Sequence, residues 1–388
     1  MDQKNSNVDT DDSNVTEESP ASPERRQFIT GAAATAAAAG AATLGFPMIA
    51  PAQETITFKF QSTWPARDIF HEYAQDYART VNELSGGRLK LNLLPSGAVV
   101  GALQMQDAVI AGALDGGHGV TAYWYGKHKA YSLFGTPPAF GWDANTMLGW
   151  IKYGGGQELY DELVQKVLKL NLVGFLTGPM PCQPLGWFKK EVKTEADLKN
   201  LKYRTVGLSA DLMKEMGAAV TIMGGADIVP AMDRGLLEAA EFNNPSSDRA
   251  LGFPDVSKTY MLRSYHQAAE SFEIIFNKTK YDALPKELQA ILKYAAEAQS
   301  ADMSWKAMDR YSKDLEAMEA QGVKVFQTPE PVLKAQLAAW NRVIELHSKD
   351  PFFAKVIESQ RAWNRRVVKF QLRNEPSREL AYNHFFSA

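Results

Sequence analysis

The chain has 388 residues with 42 basic and 45 acidic side chains, which gives a formal net charge of −3. A surface so close to neutral argues against nucleic-acid binding as the main task, because that task needs a basic footprint. The single cysteine, Cys182, excludes an intramolecular disulfide and a metal site built on cysteines. The length suits one large or two medium domains, and the 45% hydrophobic content is ordinary for a buried core.

Residues 1–52 carry the pattern of an export signal. Arg25 and Arg26 form a twin arginine, an alanine-dominated segment follows from Gly31 to Ala42, and Ala50-Pro51-Ala52 is an A-x-A-like cleavage site. These features predict a bacterial Tat signal, preceded by an acidic, disordered N-terminus and removed near Ala52. The alternative is an alanine-rich helix that follows two arginines by chance. With the signal, we expect the mature chain in the periplasm, where no ATP or NAD pool exists.

Strand and helix patterns alternate from residue 56 onwards. Ile56–Gln61 and Leu89–Leu94 alternate apolar and polar residues, which predicts strands, and Ile69–Leu84 between them predicts a helix. A further helix is expected to end before the glycine pair Gly116-Gly117. This order indicates an α/β domain.

The middle of the chain repeats the same rhythm and predicts a second α/β unit. A buried strand is expected at Val173–Leu176. The strands and helices predicted after it are Leu201–Thr205, Ser209–Met216, Val220–Met223, Ala226–Arg234 and Ala239–Phe242.

Long helices are predicted in the last third of the chain. Lys286–Gln321 contains neither Pro nor Gly, which allows one helix of roughly 50 Å that spans both units. Its apolar stripe is expected from Ala301, Trp305, Met308, Leu315 and Met318. A second helix is predicted after Pro331. A third, over Phe352–Asn374, has many large apolar residues and needs a partner surface, either within the chain or in a dimer.

Polar side chains that suit an anion and a cation follow the predicted strands of the second unit. Gln183 lies in a Pro/Gly-rich loop, Arg204 at the end of one strand, and Glu241-Phe242-Asn243 at the end of another. Ligands of open α/β folds gather at the carboxyl ends of strands. An arginine fork matches a carboxylate, while carboxylate, amide and backbone oxygens suit a hard cation. The alternative is a structural Arg–Glu ion pair between neighbouring strands.

Aromatic residues and missing motifs add weaker indications. Trp64 and Tyr123 lie in loops after strand-like segments and are candidates for an apolar pocket wall, although most such residues belong to the core. No nucleophile elbow, phosphate loop, metal-ligand triad or paired-carboxylate motif stands out. Acid–base pairs assembled across a fold leave no local trace, so a periplasmic lyase or hydrolase acting on organic acids remains the alternative to a binding protein.

Several stretches between about Gln61 and Tyr260 resemble one known family. They resemble the solute receptors of tripartite ATP-independent periplasmic (TRAP) transporters, the DctP family, and within it the α-keto-acid-binding receptors. The stretches are FQSTWP, DGGHGVTAYWYGKH, FGTPPAFGWDANTMLGW, GFLTGPMPCQPLGWFKKE, LKYRTVGLSADLMKEMGAAV and AAEFNNPSSDRALGFPDVSKTY.

The resemblance implies roles for the matching residues. Arg204 would bind the substrate carboxylate, and Gln183 and Glu241 would coordinate a sodium ion, with calcium as the alternative. The backbone carbonyl of Phe242 would complete the cation site, although the family most often has Trp at this position. Asn243 would be a further polar contact.

The resemblance also implies a fold and a function. The fold would be α/β and two-lobed, like other periplasmic binding proteins, with crossing strands and a long spanning helix. Lobe I would comprise residues 53–178 and 271–330, lobe II 179–270, and the C-terminal helices 331–388, which contact a second copy in dimeric relatives. Such a receptor, which is not an enzyme, would capture a small 2-oxo monocarboxylate such as pyruvate with a cation and deliver it to TRAP membrane subunits. Lactate or aromatic carboxylates are the alternative ligands.

Overall fold

The structure is a computed structural model and describes residues 54–386, so the twin arginine and the cleavage site near Ala52 lie outside the described residues. The strands of the described part are β1 (Ile56–Ser62), β2 (Leu89–Leu94), β3 (Gly116–Gly119), β4 (Leu172–Met180), β5 (Gly186–Phe188), β6 (Lys202–Arg204), β7 (Ala219–Thr221), β8 (Ala239–Ala240), β9 (Thr259–Leu262), β10 (Glu270–Asn277) and β11 (Lys324–Gln327).

The α-helices surround two sheets formed by these strands. They are α1 (Ile69–Leu84), α2 (Met105–Ile110), α3 (Ser132–Gly135), α4 (Ala144–Tyr153), α5 (Gly156–Asp161), α6 (Leu208–Glu215), α7 (Gly225–Asp233), α8 (Pro245–Leu251), α9 (Phe253–Val256), α10 (Lys278–Asp282), α11 (Lys286–Ala320), α12 (Glu330–His347), α13 (Pro351–Asn374) and α14 (Arg378–Phe386). None of the helices between residues 54 and 386 combines the length and apolarity that a membrane crossing requires.

The first sheet has the strand order β2-β1-β3-β10-β4. Strands β1, β2 and β3 are parallel, whereas β10 runs antiparallel to both β3 and β4. The glycine pair follows helix α2, as expected, and it also opens β3. A Cβ atom on Gly116 would lie 2.7 Å from the carbonyl oxygen of Ile275 and 2.7 Å from the ring of Phe276, so only glycine fits between β1 and β10.

The second sheet has the order β11-β9-β5-β8-β6-β7. Strand β6 is parallel to β7 and β8, and β5 is antiparallel to β8 and β9. The chain leaves the first sheet through the segment 181–185, between β4 and β5, and returns through the segment 263–269, between β9 and β10. Strand β11, which comes after the long helix, pairs with β9. The lobe boundaries near residues 178 and 270 remain a prediction.

The local sequence signals placed the first elements correctly. Helix α1 and strand β2 begin and end at the predicted residues. The side chain of Asp68 caps α1 by accepting a hydrogen bond of 3.1 Å from the backbone N–H of Phe70.

Helix α11 is as long as predicted, but only part of its predicted apolar stripe is buried. Met318 is fully buried as predicted, whereas Trp305 and Met308 are 65% and 62% exposed and Leu292 and Met303 are buried instead. The helix packs first against β4 and then against α1 and α8, so the face that it buries changes along its length. The prediction was wrong at Trp305 and Met308 because a single fixed face suits a helix with one partner only.

Candidate functional site

Arg204 and Glu241 lie side by side at the carboxyl ends of two neighbouring parallel strands. Arg204 ends β6, and Glu241 directly follows β8, where Ala240 is the register partner of Arg204. Both side chains are 1% exposed, and Nη1 of Arg204 is 3.0 Å from Oε1 of Glu241. The Arg–Glu ion pair that was the alternative in the sequence analysis is therefore formed. It lies where α/β folds bind ligands.

The guanidinium of Arg204 is held by backbone oxygens as well. Nη1 also donates to the carbonyl oxygen of Glu241 at 2.9 Å, while Nε and Nη2 donate to the carbonyl oxygen of Met223 at 3.0 and 2.7 Å. These bonds use four of the five N–H groups that a guanidinium carries. Glu241 therefore occupies part of the guanidinium that was expected to form two parallel hydrogen bonds with a ligand carboxylate. The second N–H of Nη2 remains available to an anion.

The carboxyl group of Glu241 keeps one oxygen unused. Burial raises its pKa, and the charge of Arg204, the Thr205 hydroxyl and the backbone N–H of Val206 oppose that rise. Its Oε2 atom is buried and makes no well-formed hydrogen bond with the described residues. A buried carboxylate oxygen without a partner is costly, and a bound cation would remove that cost.

Gln183 lies in the segment that connects the two sheets. Its backbone N–H donates to the carbonyl oxygen of Gln267 at 3.1 Å, which joins the outgoing segment to the returning one. Its Nε2 atom donates to Oε2 of Glu270. Its Oε1 atom is buried and has no partner within the described chain. The amide therefore presents a free carbonyl oxygen, as expected for a cation ligand.

Two further buried residues contact Gln183 and were missed by sequence reasoning, Glu270 through its side chain and Gln267 through its backbone. Glu270 begins β10 and accepts a second hydrogen bond, of 2.6 Å, from Nδ2 of Asn243. Burial raises its pKa to about 8. Gln267 is 0% exposed, and neither polar atom of its amide has a partner among the described residues. An acidic residue at the start of a buried strand was the only local signal of this group.

The donor atoms near Arg204 fit a hard cation. Within residues 54–386, no three His, Cys, Asp or Glu side chains are placed to share a metal ion. The unpartnered buried oxygens instead come from one carboxylate and two amides, Glu241 Oε2, Gln183 Oε1 and Gln267 Oε1. Such oxygens suit Na⁺ or Ca²⁺ rather than a soft transition metal. The role of the carbonyl oxygen of Phe242 as a cation ligand stays a prediction.

Trp64 and Tyr123 form an aromatic wall that continues to Phe242. Trp64 follows β1, Tyr123 lies in a short 3₁₀ turn after β3, and their ring centroids are 5.9 Å apart. Phe70 connects the two sides, because its ring is 4.9 Å from that of Trp64 and 6.0 Å from that of Phe242. The indole Nε1 of Trp64 donates to Nδ1 of His118 at 2.9 Å, so Trp64 offers only its ring to this wall.

Electrostatics place this wall close to the ion pair. Burial raises the pKa of Tyr123, and the nearby charge of Arg204 opposes the rise while that of Glu241 adds to it. The guanidinium carbon of Arg204 is 5.9 Å from the ring centroid of Phe242. The predicted polar residues form two buried groups, Arg204 with Glu241 and Gln183 with Asn243 through Glu270, and the charges of the first group act on Glu270. The predicted aromatic residues lie beside Arg204 and Glu241.

Comparison with known proteins identifies the family. Residues 60–350 match the family of bacterial extracellular solute-binding proteins, family 7, known as DctP. The chain belongs to this family. A protein from Nostoc sp. named as a monocarboxylate 2-oxoacid-binding periplasmic protein is 30% identical over 335 residues, which are 86% of this chain and 90% of that relative. The chain is therefore a TRAP solute-binding receptor and not an enzyme.

Solved structures of TRAP receptors have the same fold. A Bordetella bronchiseptica protein, a mixed-occupancy dimer with calcium and picolinate in its active site, superposes with a TM-score of 0.80 at 27% identity and covers 86% of this chain and 97% of its own. A Pseudoalteromonas atlantica protein with bound sodium and pyruvate gives 0.78 at 29% identity and covers 86% and 100%. The predicted fold class, an α/β protein similar to the two-lobed periplasmic receptors, is confirmed.

Proposed function

We propose that this DctP receptor captures a small 2-oxo monocarboxylate, such as pyruvate, together with a sodium or calcium ion. The observation that carries the proposal is the buried Arg204, which keeps an N–H for an anion, beside three buried oxygens that lack hydrogen-bond partners. The Nostoc relative and the pyruvate-bound neighbour support this ligand class. The captured ligand would be delivered to TRAP membrane subunits.

The residue roles follow from the chemistry of each group. Arg204 binds the carboxylate of the ligand, because a guanidinium N–H and a carboxylate form a charge-assisted hydrogen bond. The cation is bound by Glu241, Gln183 and the carbonyl oxygen of Phe242, to which we add Gln267. When bound, the cation would attract the carboxylate and 2-oxo oxygens of the ligand. Asn243 gives a further polar contact.

Trp64 and Tyr123 limit the size of the ligand. Trp64 is 2% exposed, and its ring packs against Phe70 and Phe272. A wall of such rings is rigid, since each is fixed by its neighbours. A short 2-oxo acid therefore suits this site better than a long one.

The charges of the proposed complex balance. With the Glu270 carboxyl protonated near neutral pH, Arg204 and a sodium ion supply two positive charges. Glu241 and the ligand carboxylate supply two negative ones. Burying such a set is tolerable because each charge has a partner of opposite sign.

Export, lobe closure and dimerisation complete the proposal. The Tat signal at Arg25 and Arg26 would direct the chain to the periplasm, with cleavage near Ala52. Lobe I (53–178 and 271–330) and lobe II (179–270) would close on the ligand, and closure would be the signal read by the membrane subunits. The C-terminal helices in 331–388 would contact a second copy of the chain.

Calorimetric titration of the exported protein with pyruvate tests the proposal. We expect binding heat that is stronger in sodium chloride or calcium chloride than in choline chloride, and no product in a parallel turnover assay. Lactate and picolinate, added as competitors, rank the alternative ligands. No pyruvate binding in any of the three salts would contradict the proposed ligand, and product formation would contradict the receptor role.

A further inference from the structure

Glu270 makes an unusual pair of contacts at the junction of the two sheets. Its side chain is 4% exposed at the start of β10. A single oxygen, Oε2, accepts hydrogen bonds from two side-chain amides, from Nε2 of Gln183 and from Nδ2 of Asn243 at 2.6 Å. Both amides belong to the proposed ligand site, whereas Glu270 has no role in it so far.

These contacts determine which way each amide faces. An amide carries its donor and its acceptor on opposite sides of one carbon, so an NH₂ group held by Glu270 turns the carbonyl oxygen away from it. For Gln183 the released oxygen is Oε1, which is buried without a partner in the described chain. For Asn243 the oxygen is Oδ1, which accepts 3.0 Å from Nδ2 of Asn244. Reversal of the Gln183 amide would bring two buried oxygens together, which is unfavourable.

We propose that Glu270 is a positioning residue that fixes the amide of Gln183 so that its carbonyl oxygen faces the cation. The inference rests on the proposed function, since it needs a cation at Gln183. Glu270 acts as a hydrogen-bond acceptor, and its effect is on cation affinity. The contact between Arg204 and the ligand carboxylate does not depend on it.

A second carboxyl on the same strand provides a matched control. Glu273 is 0% exposed, three residues further along β10, and it accepts hydrogen bonds from Nε1 of Trp124 and, at 2.7 Å, from the hydroxyl of Tyr160. It touches none of the proposed cation ligands. Shortening Glu273 therefore perturbs the same strand without altering the amide of Gln183.

Two conservative variants separate the hydrogen-bond acceptor from the acidic group. Glu270→Gln replaces the carboxyl with an amide but keeps an oxygen of the same reach, so we expect it to retain most of the calcium affinity. Glu270→Asp keeps the acid but withdraws the acceptor by one methylene group, so we expect calcium affinity to fall about 10–100-fold, as when an outer partner of a metal ligand is lost. The Glu273→Asp control is expected to bind calcium as the wild type does.

Calcium is titrated calorimetrically into the full exported chain at saturating pyruvate, and pyruvate is titrated separately in choline chloride. We expect the pyruvate affinity without calcium to be the same in all four proteins, because Arg204 is unchanged. A Glu270→Asp variant with wild-type calcium affinity would overturn the inference. So would a Glu270→Gln variant that is as weak as Glu270→Asp, because the acidic group would then matter rather than the acceptor. Failure of the wild type to bind pyruvate would instead reject the proposed function.

Discussion

The buried pair of Arg204 and Glu241 is stable because most of its polar groups have partners. Removing two charges from water is costly, and their attraction offsets that cost when hydrogen bonds satisfy the remaining groups. Here the carbonyl oxygens of Met223 and Glu241 supply those bonds. The remaining N–H of Arg204 and the free Oε2 of Glu241 are the two groups that a ligand and a cation would satisfy.

Replacing Arg204 with lysine tests whether the planar guanidinium matters beyond its charge. Arg204→Lys keeps the positive charge beside Glu241 but loses the fixed set of N–H donors. We expect pyruvate affinity to fall at least about tenfold, which is ~1.4 kcal/mol, in calorimetric titration. The matched control is Arg249→Lys, whose ion pair with Asp314 is partly exposed. Equal pyruvate affinity in Arg204→Lys and the wild type would count against the proposed role.

Glu273 is a buried acid that makes stability depend on pH. Burial raises its pKa from the usual 4.5 to about 7, although Trp124 and Tyr160 donate to it. Between these two values the folded protein keeps a proton that the unfolded chain has lost. The contribution of Glu273 to the free energy of unfolding is therefore fully present below about pH 4.5 and decreases as pH rises through 7.

Glu273→Gln removes this dependence while keeping the hydrogen bonds. The amide oxygen can accept from Trp124, and the amide NH₂ can donate to Tyr160. We expect the variant to gain up to about 3 kcal/mol of unfolding free energy relative to the wild type between pH 4.5 and pH 8, measured by urea denaturation. The exposed Glu375→Gln serves as the control. Parallel pH profiles of the wild type and Glu273→Gln would contradict the assignment.

The residue types of the site could be predicted from sequence only in part. Arg204 and Glu241 follow strand-like segments of one unit. Because ligands bind at the carboxyl ends of strands, the sequence predicted that the two residues lie close together. Gln267 lies in the returning segment between β9 and β10 and Glu270 begins β10, far from the others along the chain. No periodicity or motif links them to Gln183, because the contact exists only once both sheets have formed.

At the scale of elements, the sequence predicted those with strong local signals. Helix α1 begins at an aspartate cap and ends near two glycines, and it matched the prediction. Strand β10 was missed because it is buried along its whole length and contains two acidic residues, so neither alternation nor apolarity marks it. Strand β3 was missed because its glycines suggested a chain turn.

Gly186 shows how closely the strands of the second sheet approach each other. It opens β5 with a φ of 122°, and a Cβ atom there would lie 2.3 Å from the carbonyl oxygen of Ala240. That contact is with backbone, so neighbouring strands would have to move. Since Ala240 immediately precedes Glu241, the shift would also reach the ligand site.

Gly186→Ala is therefore expected to destabilise the protein strongly. The matched control is Gly235→Ala, because Gly235 also has a positive φ, of 72°, but a Cβ atom there meets nothing within 4 Å. We expect Gly186→Ala to lower the free energy of unfolding by at least ~2 kcal/mol more than the control does, in urea denaturation. Similar losses in both variants would mean that only the backbone angle matters.

At the scale of the whole molecule, the C-terminal helices leave a large apolar surface uncovered. Phe370 on α13 is 63% exposed, and α14 has four large side chains that are 63–74% exposed, namely Leu380, Tyr382, Phe385 and Phe386. Exposed apolar residues in one contiguous segment favour an interface, whereas scattered ones do not. The described chain packs part of α13 against itself through Phe353 and Val356, whereas a contact with a second copy stays a prediction.

Phe370→Asp tests whether a second copy covers this surface. A charge in an apolar interface would have to be desolvated, so we expect the dimer to shift towards monomer in sizing with light scattering. Leu236→Asp, which changes a residue of similar exposure outside the C-terminal helices, is the control and should leave the mass unchanged. A Phe370→Asp protein with the mass of the wild type would speak against this interface.

The two segments that carry the chain between the sheets meet at Gln183 and Gln267, and Glu270 lies at the end of the second one. A cation bound to these amides would link the two connecting segments to each other. Removal of the cation would make the connection between the two sheets more flexible, in addition to emptying a binding site. The rigidity of the receptor would then depend on the concentration of the cation even before the solute binds.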